Sequence, residues 1–261
     1  MSDWTKKLFI ENADSFLKIM EERWSRTEEL VNGMVKILAN FGITSGNLLD
    51  LCCGNGRVSI YMAKKGFKAI GVDISKVFIE DAKRKAKTYK VSGMVTFLQG
   101  DVKNLKKVVG CVSQPFDVVV NVWTSIGYSS PEDDLKIFKQ ARELSREGAI
   151  LFIAETMPSE HILVKFTPTS YMEVGDIVVL ENRTYDPTTS QLKTVWAFYR
   201  KWGEDLKFVD KIKLTIHVYN VSELSTLLRK ADWEPTAFYG SLATLQPMNA
   251  LSSLNIVAKA V

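Results

Sequence analysis

Short apolar segments alternate with helical segments over the first 155 residues, and this alternation is the strongest constraint on the fold. The apolar segments are 47–51, 69–73, 95–99, 116–122 and 149–155. Near-continuous apolar strands separated by helices are typical of a parallel sheet that is covered on both faces. Two further strands are expected at 236–239 and 254–260. The sequence therefore predicts an α/β fold with a doubly wound, mostly parallel, seven-stranded sheet.

The pattern changes after Thr156. Apolar and polar residues alternate with a period of two in the segments 177–185, 192–202 and 211–219, which predicts antiparallel strands. We expect residues 156–218 to form an antiparallel β insertion that acts as a lid. Apolar residues at helical spacing predict N-terminal helices, which would form a cap over residues 1–42. The length of 261 residues suits a single domain over 1–261, because single cores stop growing at about 250–300 residues.

Composition narrows the class of protein. Hydrophobic residues make up 46% and charged residues 25%, which is typical of a globular chain. The net charge of +4 is too small to require nucleic acid as a partner, and no stretch has the about 18 uninterrupted apolar residues of a membrane span. Cys52 and Cys53 are adjacent, which is a poor spacing for disulfides. No ligand spacing for a metal is present, and we expect a cytoplasmic location.

Acidic residues follow most of the predicted parallel strands. Asp50, Asp73 and Asp101 stand at the ends of the first three strands and Glu155 at the end of the fifth, with Asn121 at the end of the fourth. Ligands bind at this edge of open α/β sheets. The turn Gly54-Asn55-Gly56 lets its backbone approach a ligand closely, and Asp73 lies about 20 residues further on, where an acid can accept both hydrogen bonds of a ribose diol.

The charge of this edge distinguishes between nucleotide cofactors. The third glycine of a dinucleotide-binding turn is replaced by Ser59, and Asp50 would repel a pyrophosphate. S-adenosylmethionine carries an ammonium and a sulfonium and no phosphate, so an acidic turn suits it. A nicotinamide-dependent oxidoreductase and a non-catalytic nucleotide- or partner-binding protein remain alternatives.

Four segments resemble, in order and spacing, the motifs of class I S-adenosylmethionine-dependent methyltransferases. They are 48–57 (LLDLCCGNGR), 71–75 (GVDIS), 99–102 (QGDV) and 116–121 (FDVVVN), and Ser125-Ile-Gly-Tyr128 is similar to a segment of the small-molecule members. The resemblance implies a Rossmann-like fold and S-adenosylmethionine as cofactor. It also implies a cofactor site formed by Asp50, Cys52, Gly54, Gly56, Asp73, Ile74, Asp101, Val102 and Asn121.

The resemblance implies a small-molecule methyl acceptor. Trp123, Tyr128 and Tyr219 are predicted to border the acceptor pocket. Methyl transfer from a sulfonium depends mostly on alignment and water exclusion, so a base is optional; Tyr128, His217 or solvent could take a proton. The segment 121–124 lacks the Asn/Asp-Pro-Pro-Tyr motif, which disfavours methylation of base amino groups or glutamine. Nucleic acid and membranes are not expected as partners, whereas a homodimer is possible.

Overall fold

The computed structural model describes residues 3–110, 114–123 and 125–261. Its main sheet has eight strands in the order β11-β10-β12-β5-β4-β1-β2-β3. Five neighbouring strands, β3, β2, β1, β4 and β5, are parallel, and β12, β10 and β11 continue the sheet in antiparallel pairs. The eight strands are β1 (Gly46–Leu51), β2 (Phe67–Asp73), β3 (Val95–Gln99), β4 (Phe116–Val122), β5 (Ser145–Thr156), β10 (Trp233–Ser241), β11 (Gln246–Pro247) and β12 (Leu254–Ala260). This arrangement confirms the predicted α/β class, with the two-residue β11 as the additional edge strand.

Helices cover both faces of the main sheet, and a second group of helices lies at the N-terminus. The N-terminal group is α1 (Asp3–Lys6), a π-helical turn (Lys7–Glu11), α2 (Ala13–Glu21), a 3-10 turn (Trp24–Arg26) and α3 (Thr27–Asn40). The other helices are α4 (Arg57–Lys64), α5 (Lys76–Thr88), α6 (Leu105–Val109), α7 (Pro131–Glu143), α8 (Ser159–Lys165) and α9 (Val221–Arg229), with a 3-10 turn at Val102–Asn104. Ser75 caps α5 by accepting a hydrogen bond from the Phe78 N–H.

The sheet is buried on both faces because its central strands are apolar on both sides. One core contains Leu49, Leu51 and Val119 together with α7 and α9, and the other contains Leu48 and Val118 together with α3 and α4. This two-sided burial fixes the strands and therefore the positions of the residues that follow them.

A separate four-stranded antiparallel sheet has the order β6-β7-β8-β9. Its strands are β6 (Thr169–Val174), β7 (Ile177–Asp186), β8 (Gln191–Trp202) and β9 (Asp205–His217). We refer to this sheet as the insertion sheet. Its inner face joins a third core with the N-terminal helices and Phe78 of α5.

Some boundaries differ from those expected. The strand predicted at 211–219 begins earlier, at Asp205, and ends at His217; β6 and α8 were not predicted. α7 ends at Glu143, because Ser145 already pairs with Phe116 as the start of β5.

Candidate active site

The carboxyl ends of β1, β2 and β4 and the loop after β3 border a cavity of about 300 Å³. Seven of the nine predicted cofactor residues line it: Asp50, Cys52, Gly54, Asp73, Ile74, Asp101 and Val102. They come together because parallel pairing aligns strand ends; Asp50 lies beside Gly71, and Asp73 beside Gln99. The parallel sheet thus concentrates acidic side chains at one wall.

Asp73 connects the two turns that border this wall. Its carboxylate oxygens accept hydrogen bonds from the Gly54 N–H and the Ser75 N–H, both at 2.9 Å. A carboxylate has about four lone-pair sites, so Asp73 keeps acceptor capacity for a ligand. Burial raises the pKa of Asp73 to about 6, although the backbone hydrogen bonds act against this rise. A diol or a cation in the cavity would stabilise the ionised form.

Asp50 is the most deeply buried acid of the group. It is 2% exposed, and its Oδ2 accepts a hydrogen bond from Ser59 Oγ at 2.7 Å. Burial raises the pKa of this carboxyl to about 7, and the Ser59 hydrogen bond and the charge of Arg57 lower it in part. Asp101, by contrast, lies at the rim of the wall, where its carboxylate accepts the Lys103 N–H at 2.9 Å.

The backbone is in the left-handed region at three adjacent strand ends. The φ angles are 57° at Cys52, 67° at Trp123 and 54° at Glu155. None of these residues is glycine, so each conformation costs of order 1 kcal/mol or more, and such residues cluster at functional sites. Glu155 is held there by Arg57, whose guanidinium lies 2.8 Å from its carboxylate.

Residues 48–148 match the profile of a family described as a methyltransferase domain. The four motif segments identified in the sequence lie within residues 48–148, as do the acids Asp50, Asp73 and Asp101 at the strand ends. Residues 48–148 belong to this methyltransferase domain family. This match confirms the predicted family for residues 48–148.

The methyltransferase domain has relatives both in sequence and in fold. A putative methyltransferase, YqeM, of Bacillus subtilis is 34% identical over 136 residues, which cover 49% of this chain and 52% of the relative. The chain spans about half the length of the curated relatives it matches. A S-adenosylmethionine-dependent methyltransferase from Clostridium acetobutylicum has the same fold, with a TM-score of 0.73 at 14% identity over 89% of this chain and 91% of the other. The CcbJ methyltransferase from Streptomyces caelestis also has a TM-score of 0.73, at 18% identity over 90% and 89% of the two chains.

Two predicted cofactor residues of the methyltransferase domain lie outside the cavity lining. An added Cβ at Gly56 would overlap Phe97 and Ala82, so this glycine allows β3 and α5 to pack against the turn. Asn121 lies behind the wall, where its Nδ2 donates to the Leu51 carbonyl at 3.2 Å. Its Oδ1 is buried and accepts no hydrogen bond from the part of the chain that the structure describes.

The predicted acceptor-pocket residues are separated by the structure. Trp123 and Tyr128 line the cavity, whereas Tyr219 does not. Tyr219 follows the end of β9 and turns into the core of the sheet, where its hydroxyl donates to Asp134 Oδ2 at 2.7 Å. The same oxygen accepts the Gly127 N–H at 2.8 Å, and burial raises the pKa of Asp134 to about 6.

The two candidate bases also differ in position. Tyr128 lies at the cavity wall, with its ring stacked on Phe9 at 5.7 Å and edge-on to Trp4 at 5.0 Å. Burial raises the pKa of its phenol above the ordinary value, which makes it a poorer base at neutral pH. His217 does not line the cavity, and its Nε2 lies 2.7 Å from Glu223 Oε1. The structure therefore brings only Tyr128 of this pair to the cavity.

Sequence reasoning missed the polar part of the opposite wall. Glu181, Arg183 and Thr194 of the insertion sheet line the cavity, and Glu181 is 5% exposed. The Glu181 carboxylate accepts a hydrogen bond from Ser170 Oγ at 2.6 Å and forms an ion pair with Arg183. The sequence does indicate that these two residues face the cavity, because residues 181 and 183 lie on the same strand face as the apolar residues 177 and 179.

Aromatic residues of the N-terminal helices close the space between the two walls. Phe16 stacks on Trp123 at 5.7 Å and on Trp196 at 6.1 Å, and so contacts both the methyltransferase domain and the insertion sheet. Met20 packs on the turn after β1, where an added Cβ on Gly54 would overlap its Cε. The Nε1 of Trp196 is buried and has no hydrogen-bond acceptor within the described ranges. The cavity therefore has an acidic wall, an aromatic cover and a mixed wall.

Proposed function

We propose that this protein transfers a methyl group from S-adenosylmethionine to a small-molecule acceptor. The observation that carries the proposal is the cavity itself, because it joins the acid-lined strand ends of the methyltransferase domain to the inner face of the insertion sheet. Such a space holds a donor at one wall and an acceptor at the other. The motif match of residues 48–148 supports the donor side.

We refer to the acidic wall of the cavity, at the ends of the parallel strands, as the donor wall. Its acids fit the positive charge of S-adenosylmethionine. Burial is the main cause that raises the pKa of Asp50 to about 7 and that of Asp73 to about 6, so an ammonium or sulfonium nearby would favour their ionised forms. A pyrophosphate would be repelled by the same carboxylates, which disfavours the nicotinamide-dependent alternative. We therefore assign the cofactor role to the seven predicted residues that line the cavity.

The reaction needs alignment more than acid–base chemistry. The cofactor supplies a methyl carbon on a sulfonium, so that the acceptor's lone pair forms the new bond while the sulfur keeps the electrons of the broken one. The chain's part is to hold the acceptor in line and to exclude water, and positioning can supply effective molarities of about 10⁵–10⁸ M. Trp123, Tyr128 and Phe16 provide the apolar enclosure. A proton lost by the acceptor would pass to solvent, because burial raises the pKa of Tyr128 and keeps its phenol protonated at neutral pH.

A small acceptor suits the enclosure by the N-terminal helices and the insertion sheet. Lys18 of α2 forms an ion pair with Asp176, and Lys7 donates to the Lys211 carbonyl at 2.8 Å, so the two elements are tied together above the cavity. We propose that residues 156–218 act as the lid and residues 1–42 as the cap of a single domain.

Within the described ranges, no helix has the length and apolar character needed to cross a bilayer. We further propose a cytoplasmic location.

Calorimetric titration with S-adenosylmethionine and S-adenosylhomocysteine tests the donor side. We expect saturable binding that Asp73→Asn weakens at least about tenfold, because the variant loses a charged hydrogen-bond acceptor. Asp186→Asn is the matched control, since Asp186 accepts hydrogen bonds from Thr188 and Thr189 in an insertion-sheet turn. Absence of binding at millimolar cofactor, or equal binding by wild type and Asp73→Asn, would contradict the proposal.

A further inference from the structure

A second cavity adjoins the first. It has a volume of about 450 Å³ and lies between α8, the segment that follows α8, and the insertion sheet. Met157, Arg183 and Leu192 line both cavities, so these three side chains lie at the boundary between them. The two cavities are therefore adjacent, and a ligand that contacts these residues contacts the lining of both.

The second cavity is lined by basic side chains, whereas acidic side chains predominate in the lining of the first. His161, Lys165 and Arg183 line it, and none of the described residues that line it is an acid. Glu160, the nearest acid along α8, is engaged elsewhere, because its Oε1 accepts the Val221 N–H at 3.1 Å. Glu181 pairs with Arg183 and lines the first cavity only.

Two of the three basic groups have hydrogen-bonding capacity left. The Nδ1 of His161 is buried and bonds to none of the described residues, and a buried polar atom of this kind costs free energy unless a ligand or a water molecule satisfies it. Lys165 forms no ion pair with any acid in the described ranges. Arg183 is held in place by its hydrogen bond to Ser170 Oγ at 3.0 Å and by Glu181.

We infer that the second cavity binds the oxyanion of the methyl acceptor, a phosphate or carboxylate group, through Lys165, His161 and Arg183. The rest of the acceptor extends past Met157 and Leu192, so that its nucleophilic atom reaches the first cavity. The inference rests on the proposed function and narrows the acceptor to small anionic molecules. Arg183 would contact the oxyanion at the boundary, since it lines both cavities.

Binding of the anion alone provides the first test. The protein without cofactor is titrated with inorganic phosphate and, separately, with acetate, while the His161 ring signals are followed by NMR. We expect saturable shifts at His161, and we expect Lys165→Gln to weaken binding about tenfold through loss of a charge-assisted contact. His161→Gln should weaken binding in the same direction, as measured by calorimetry. Lys193→Gln is the control, because Lys193 is an exposed lysine on the insertion sheet outside the cavity lining.

The relative affinities for phosphate and acetate distinguish a phosphorylated acceptor from a carboxylated one. Tighter binding of phosphate indicates a phosphorylated acceptor, and tighter binding of acetate indicates a carboxylated one. If neither anion shifts the His161 signals at tens of millimolar, or if Lys165→Gln and Lys193→Gln bind equally, the inference is wrong. Cofactor titrations on the same samples keep it distinct from the proposed function, because cofactor binding without anion binding contradicts only the inference.

Turnover provides the second test. Amines and alcohols are assayed in pairs with their phosphorylated and carboxylated derivatives, and we expect the anionic member of a pair to be the better acceptor. For that acceptor, Lys165→Gln should raise KM about tenfold and leave kcat within about twofold, since the contact is made equally in the ground and transition states. Preference for the neutral members, or an unchanged KM, would show that the cavity does not hold the acceptor.

Discussion

At the scale of single residues, the buried carboxyl of Asp50 makes stability depend on pH. Its pKa is about 7 in the folded protein, against an ordinary 3.8, because burial disfavours the charge. The folded state therefore holds the proton more tightly than the unfolded state, and stability falls as pH rises from about 4 to about 7. Asp73 and Asp134, each with a pKa raised to about 6, act in the same direction.

Asp50→Asn should reduce this pH dependence. We expect the loss of unfolding free energy between about pH 5 and about pH 8 to shrink by about 2 kcal/mol, because the variant has no carboxyl to ionise. Urea unfolding at both pH values measures it. Asp186→Asn should leave the loss unchanged, since its hydrogen bonds lower the pKa of Asp186, which stays ionised over this range. An equal loss in wild type and Asp50→Asn would contradict the prediction.

The acids of the donor wall could be predicted from sequence because parallel strand pairing fixes where strand ends meet. Asp50, Asp73 and Asp101 needed only the strand pattern. The positions of Tyr219 and His217 depend on where β9 ends, which the alternation of residues 211–219 does not define. Asp134 looks like an ordinary first-turn acid of a helix, and only the approach of Gly127 and Tyr219 buries it.

At the scale of elements, the loop after β4 packs directly on the end of β9. The Gly127 N–H donates to Asp134, the His217 N–H donates to the Gly127 carbonyl at 2.9 Å, and an added Cβ on Gly127 would overlap the His217 carbonyl oxygen. The φ angle of Gly127 is also positive, at 78°. This contact joins the methyltransferase domain to the insertion sheet at the position of Tyr128.

Gly127→Ala should therefore be much more destabilising than a matched glycine substitution. Gly175 also has a positive φ, 58°, but an added Cβ there meets nothing within 4 Å. Gly175→Ala is expected to cost about 1 kcal/mol from the backbone alone, and Gly127→Ala at least about 2 kcal/mol more from the overlap. Thermal unfolding of the two variants makes the comparison. Similar melting temperatures would show that the loop and β9 are not in contact.

Phe16 of α2 has a comparable role on the other side of the cavity. It is 7% exposed and contacts Phe9, Phe78, Trp123 and Trp196. Phe16→Ala should cost about 3 kcal/mol of unfolding free energy and weaken cofactor binding, because it opens the cover to water. Phe208→Ala is the control; Phe208 is 60% exposed, and its loss should cost less than about 1 kcal/mol. Equal destabilisation by the two variants, measured in urea, would argue against a closed cover.

At the scale of the whole molecule, the N-terminal helices, α5 of the methyltransferase domain and the insertion sheet share one core. Leu8 and Phe16 of the N-terminal segment pack in the same cluster as Phe78 of α5 and as Val179 and Phe198 of the insertion sheet. A sheet whose inner face is buried against two other elements cannot unfold without exposing all three. This shared cluster is consistent with the single domain over 1–261 that we propose.

Unfolding should therefore occur in one cooperative transition. Far-UV circular dichroism reports mainly on the helices around the main sheet, whereas tryptophan fluorescence includes Trp196 and Trp202 of the insertion sheet. The two signals should give the same midpoint in urea. S-adenosylhomocysteine at about 100 times its dissociation constant should raise the free energy of unfolding by about 2.7 kcal/mol in both signals, because the ligand binds only the folded state. An earlier fluorescence transition that the ligand leaves in place would mean that the insertion sheet unfolds independently and that its wall is not part of the cofactor-bound cavity.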